Sequence, residues 1–312
     1  MVTSDDWRPS ADWPTLHRRA ALLRTLRAFL DERGCTEIDA PIAARGAIVE
    51  RELDNLSTRD GDPFVGSPEA SLKRALAAGS GDVYHLGHVF RAGEVGRWHN
   101  PEFCMLEWYR CGWGLQSIID ETGTLLHHTL GLSMAEPQYF VDVFQATIGL
   151  DPFEASTASL ADAARQFGVA PSDTDAGDTR SLWIDCLMSL VVQPRLGDRQ
   201  PVCLTHFPAA DGVLTMPAAD GVTALRFEVY FRGVELANGA VELTNAALAD
   251  ERMRANAECG DGDTPVDEHL LSAMRAGLPE CAGVALGVDR LLALQLAHDD
   301  VASVMPFDWR RR

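Results

Sequence analysis

The sequence predicts an α+β fold, an antiparallel β-sheet flanked by helices, as one domain over residues 1–312. Three observations predict it. Pro14 to Arg33 carries Leu16, Ala20, Leu23, Leu26 and Leu30 at helical spacing. Two alternating segments, one from Val83 to its close at Arg91 and one from Phe103 to Arg110, flank a polar loop, as a strand and its returning partner would. Ala224–Phe231 and Val234–Gly239 are joined by Arg232-Gly233, which suits a two-residue hairpin turn.

Taken in order, the first helix stops at Gly34, and Thr36–Ala40 reads as a strand ending at Pro41. Ser67-Pro68-Glu69 is a helix start: Ser as N-cap, Pro at the first position and an acid in the first turn, with the helix reaching about Ala78. Arg91 closes the first alternating run and stands beside the loop. In the returning strand Cys104, Leu106 and Trp108 point one way, and Met105, Glu107 and Tyr109 the other. A carboxylate to hold an amine and an arginine to hold a phosphate thus come from one hairpin. Leu115–Leu130 is helical. Residues 133–200 read as a helical insertion near the site but without its chemistry, with helices near Ser159–Phe167 and Arg180–Val192 and a polar run Pro171–Gly177. Pro201–Phe207 is a strand, and helices follow the central hairpin near Ala246–Glu258 and Glu268–Ala276. Residues 281–294 form a strand entering a helix, with Gly283 and Gly287 at the junction and Arg290 just beyond.

Glu228, Glu235 and Glu242 lie seven apart. A turn at Arg232-Gly233 pairs Tyr230 with Glu235 and Glu228 with Ala237. Glu228 and Glu235 are then diagonal neighbours on one face, about 7–8 Å apart by backbone. Two carboxylates sharing a cation with phosphate oxygens suit Mg2+; a solvated charged strand face is the other reading of the pattern. His85 and His88, three apart on a strand, face opposite ways and cannot chelate together. His99 sits in the loop within reach of a nucleotide, and His127 and His128 read as exposed helix positions.

Composition narrows the class. With 46% hydrophobic residues the chain can bury a large core, but no run of about 18 apolar residues predicts a membrane span. The first residues lack a basic-then-apolar leader pattern. Seven scattered cysteines without a C-x-x-C pair point to reduced thiols and the cytoplasm. A net charge of −19 makes tRNA or DNA a poor partner. Lys73 is the only lysine among 27 basic residues, which in an alanine-rich chain reads as coding bias.

Residues 90–110, F-R-A-G-E-V-G-R-W-H-N-P-E-F-C-M-L-E-W-Y-R, closely resemble motif 2 of the class II aminoacyl-tRNA synthetases, in the lysyl branch. The first helix, strand and Pro41 resemble motif 1, which builds the dimer interface of that superfamily. C-A-G-V-A-L-G-V-D-R-L-L-A-L, at 281–294, resembles motif 3. The resemblance implies the class II synthetase catalytic fold, ATP and Mg2+ as cofactors, and a homodimer. It implies Arg91 and Arg290 as catalytic arginines. Ser67, Pro68, Glu69, Glu107, Tyr109, Asn238, Glu242 and Ala285 would meet the amino acid. Ala92, Gly93, Glu94, His99, Asn100, Glu235, Leu236 and Gly287 would join the two arginines around ATP. Glu228 and Glu235 would bind the metal.

About a dozen residues precede motif 1, so no anticodon-binding barrel is expected. The chain is similar to the elongation factor P–lysine ligases, lysyl-synthetase paralogues without that barrel. This implies activation of lysine or (R)-β-lysine as an adenylate and its transfer to a lysine of elongation factor P. Ala285 stands where lysyl synthetases usually have Gly, which would reshape the pocket for a β-amino acid. Ala70 and Ala240 replace common aromatics, and Gly93 precedes Glu94 where the family places an acid. Two other readings are an asparagine-synthetase-like class II ligase and a catalytically inactive paralogue that binds an amino acid. The H-N-P-E-F…E-W-Y run argues against the first, and the presence of Arg91, Glu228, Glu235 and Arg290 against the second.

Overall fold

The computed structural model describes residues 7–46, 55–170, 180–259 and 265–312; the polar run Pro171–Gly177 lies outside them. Helix α1 (Trp13–Asp31) starts at Asp12, whose carboxylate accepts from the Thr15 N–H at 2.9 Å, with Pro14 in the first turn. Removing that cap in Asp12→Ala should lower stability by about 1 kcal/mol, read as a shift in urea midpoint at unchanged slope. β1 (Thr36–Glu37) is shorter than the expected Thr36–Ala40 strand. α2 (Glu69–Ala77) begins one residue later than the expected Pro68, while the Ser67 hydroxyl still caps it by accepting from the Glu69 N–H at 3.0 Å.

β2 (Val83–Phe90) and β3 (Glu102–Cys111) form the expected hairpin, followed by α3 (Leu115–Leu130). The stretch expected as an insertion contains β4 (Gln138–Tyr139), α4 (Phe140–Ile148), α5 (Thr157–Gln166) and α6 (Arg180–Leu187). α6 runs into a π-turn, Met188–Val192. β5 (Val202–Thr205), β6 (Arg226–Phe231) and β7 (Val234–Val241) follow, then α7 (Ala246–Cys259), α8 (Glu268–Gly277), β8 (Cys281–Gly287) and α9 (Val288–Gln295).

Among the described residues the strands make one sheet in the order β1-β2-β3-β8-β7-β6-β5-β4. Only the two outermost pairs, β1 with β2 and β4 with β5, are parallel. One face is apolar: Leu106, Trp108, Val229, Leu236, Val284 and Leu286 pack against Leu26, Leu30, Ile118, Leu125, Leu291 and Leu292 of α1, α3 and α9. The helical stretch has its own core, in which Phe140, Phe144, Trp183 and Leu187 meet Leu204 and Tyr230. A third core joins α2 to α8 behind Tyr109.

One register expectation is corrected. Arg232 and Gly233 turn with φ of 50° and 74°, as a primed turn requires, and Tyr230 faces Glu235. The next pairs are Val229 with Ala237 and Glu228 with Asn238, not Glu228 with Ala237. Leu236 is an extra residue, a β-bulge, so Leu236 and Ala237 both enter the core. The bulge matters because Glu235 and Glu242 are an odd number of residues apart. On a regular strand they would point to opposite faces.

Candidate active site

The face opposite the main core carries a row of side chains across four strands. Glu107 pairs with Ala285, Ala285 with Asn238, and Asn238 with Glu228. Three strand spacings separate the row's ends, about 14 Å, roughly the reach of an amino acid joined to a nucleotide phosphate. Methyl-sized Ala285 leaves the floor between the carboxylates low. The next row holds Tyr109, Gly283, Ala240 and Arg226. A Cβ at Gly283 would lie 2.3 Å from the Tyr109 ring, so glycine is what lets that ring lie flat beside Glu107.

At one end of this face four charged groups are packed together. Glu107, 3% exposed, accepts hydrogen bonds from the Ser67 hydroxyl at 2.7 Å and the Tyr109 hydroxyl at 2.6 Å. Glu242, 6% exposed, pairs with Lys73 at 2.5 Å, and the same ammonium binds Glu69. Burial pushes Glu107 up to about 7, and the neighbouring Glu69 charge adds to this. Burial also pushes Glu242 up to about 7 against the pull of Lys73. For Lys73, burial opposes the charge, but Glu242 and Glu69 outweigh it and raise its pKa. Carboxylates this reluctant to stay charged call for cationic ligands.

The other end is built around arginines. Arg290, just inside α9, donates to the Trp98 and Glu235 carbonyls, both at 3.1 Å, and lies 2.8 Å from His99 Nε2 and 3.6 Å from the Glu235 carboxylate. Burial and the adjacent Arg290 lower the His99 pKa, disfavouring its charged form. The helix start is pinned from below: buried Asp289 pairs with Arg19 of α1 and accepts from the Cys104 N–H at 2.8 Å. Arg91 stacks over Phe103 at 5.3 Å and lies 3.7 Å from Glu94, while its buried Nε has no hydrogen-bond partner. The side chain is about a quarter exposed where it lines the cavity, so its guanidinium is placed to meet an arriving phosphate. Between the two ends, Glu228 is bound by Arg226 and by the Tyr230 hydroxyl, and Arg226 also donates to Asn238 at 3.1 Å.

A single cavity of about 610 Å³ joins both ends. Arg91, Arg290, Glu228, Glu235 and Glu242 all line it, so the two distant arginines and three spaced glutamates do meet around one space. Ser67, Glu69, Glu94, His99, Asn100, Glu107, Leu236, Asn238, Ala285 and Gly287 line it as well. Pro68, Ala92 and Gly93 are not part of its wall, and Tyr109 stands behind Glu107. Asn100 uses its amide on backbone, donating to the Glu102 carbonyl at 2.6 Å and accepting from the Trp309 N–H at 2.9 Å.

Residues 6–310 match the family of tRNA synthetases class II (D, K and N). The chain belongs to this family. Among similar members, the elongation factor P–(R)-β-lysine ligase of Vibrio cholerae serotype O1 is 38% identical, over 99% of this chain and 100% of its own length. The ligase of the same name from Hamiltonella defensa is 36% identical over 100% of both chains, and that from Histophilus somni 37% identical over 99% of both.

Within this family framework the sequence reading missed three residues. Arg226 and Tyr230 flank Glu228, and the alternation R-F-E-V-Y already puts all three on one face. Lys73, rare by composition, lies four residues after Glu69 on one helix face, a spacing that signals an ion pair. The helical stretch also contributes more than expected, with Ser181, Asp185, Met188 and Gln193 forming part of the cavity wall.

Proposed function

We propose that the chain activates lysine or (R)-β-lysine with ATP and transfers the acyl group to a lysine side chain of elongation factor P. The observation that carries this is the shared cavity, with carboxylates at one end and arginines at the other. The substrate's ammonium groups lie against Glu69, Glu107 and Glu242, and its carboxylate points toward Arg91. In the first step that carboxylate attacks the α-phosphorus of ATP and pyrophosphate leaves. Arg91 meets the charge developing on the α-phosphate, and Arg290 holds the tail phosphates. In the second step an acceptor amine attacks the acyl carbon and AMP leaves. No covalent enzyme intermediate is required.

Glu228 and Glu235, diagonal neighbours facing the same cavity, are the oxygen donors fit to hold Mg2+. When bound, the ion offsets charge on the nucleotide phosphates. Arg226, itself held by Asn238, keeps Glu228 oriented. The names of the similar ligases favour this reading over an asparagine-synthetase-like or inactive paralogue. A homodimer through α1 is part of it, supported by the shallow apolar groove along Leu16, Ala20 and Leu23. No described helix is long and apolar enough to cross a membrane, and the cytoplasm is the proposed location.

Mass spectrometry of elongation factor P incubated with the enzyme, ATP, Mg2+ and each lysine isomer tests the proposal. One lysyl unit should add about 128 Da to the acceptor. An unmodified acceptor with both isomers would overturn the assignment.

A further inference from the structure

We propose that Lys73 is a positioning residue that sets the amino-acid end of the cavity at two negative charges, matched to a substrate with two ammonium groups. This rests on the function proposed above. Lys73 has no exposed surface and is not part of the cavity wall, so it acts through the carboxylates it binds. It bridges two elements, pairing with Glu69 of α2 and Glu242 of β7. Glu69, Glu107 and Glu242 supply three carboxylates to the wall, and Lys73 returns one positive charge from behind. With all three ionised, as when ammonium groups are bound, the sum is two negatives, which lysine or β-lysine neutralises and an amino acid with one ammonium group does not.

Among the described residues the groups facing Glu242 are few. From α2 they are Lys73 and Glu69, from β3 Glu107 and Tyr109, and from β8 Cys281. Lys73 is the only cation among them. Without it, three carboxylates would stand together with no cation, and Glu242, already pushed up to about 7 by burial, would keep its proton to higher pH. That carboxyl would then present a neutral group where an ammonium must bind.

The test is the pH profile of kcat/KM for lysine in ATP–pyrophosphate exchange, with the KM for ATP measured alongside, for wild type, Lys73→Met and Glu69→Gln. In Lys73→Met the acid limb should move up by about one unit or more. That lowers kcat/KM at pH 7 by about tenfold, recovered at higher pH, with the KM for ATP unchanged. In Glu69→Gln the limb should move the opposite way, to lower pH, because Glu242 loses a like-charged neighbour. A purely structural role predicts a loss that is uniform with pH and a raised KM for ATP; that result, or coincident limbs, overturns the proposal. Should Lys73→Met fail to fold, Lys73→Arg, which keeps the positive charge, should hold the acid limb within about half a unit of wild type, and a limb moved up by about one unit or more overturns the proposal. Failure of the wild type to activate either lysine isomer would instead overturn the proposed function.

Discussion

Replacing Arg91 with alanine is expected to lower ATP–pyrophosphate exchange by about 10²–10³-fold, while the substrate-free protein keeps its stability. The asymmetry follows from the surroundings of the side chain. Its ion pair with Glu94 spans 3.7 Å and its buried Nε is unpaired, so the fold draws little from it. A phosphate arriving at the exposed part of the guanidinium gains a charge-assisted bond that strengthens as charge builds in the transition state. Arg91→Lys should recover only part of the loss, since an ammonium lacks the planar fork. Exchange within a few-fold of wild type in Arg91→Ala would remove this residue from the chemistry.

Amino-acid activation should fall by about a hundredfold or more between pH 7 and pH 5. Burial places Glu107 and Glu242 at about 7, against an ordinary value of 4.5. In the empty site both are therefore increasingly protonated below 7, and an ammonium can bind only by displacing those protons. Each carboxylate that must ionise contributes about a tenfold loss per pH unit. The same shifts have an opposite sign for folding. A carboxylate whose pKa rises on folding stabilises the chain most below its unfolded value, and this is lost as pH climbs from 4.5 through 7. The substrate-free protein should thus lose stability on that ascent, and lysine should restore it. A flat kcat/KM for lysine between pH 5 and 7 would take the two glutamates out of the amine site.

Much of the sheet was legible because period-two patterns are unambiguous when one face is apolar. Cys104, Leu106 and Trp108 enter the core while Met105 and Glu107 line the cavity, as their alternation indicates. Leu115–Leu130 matches its helix to the residue, since Gly114 and Gly131 bracket it. The bulge at Leu236 was not legible from local chemistry, because no glycine or turn residue marks it. It could have been inferred from parity, for Glu235 and Glu242 cannot share a face without an inserted residue. β1 ended early because edge pairing, and not its own composition, sets its length. The role of Lys73 was not legible because composition shows only its rarity, whereas its meaning lies in the depth at which the fold places it.

That depth has a bearing on where an activated acyl group can end up. Of 27 basic side chains other than histidine, 26 are arginines, and the single primary amine among them is sealed from solvent between two acids. Guanidinium groups do not deprotonate in proteins and so make poor nucleophiles. A mixed anhydride drifting out of its birthplace would meet no lysine on the enzyme's own exterior.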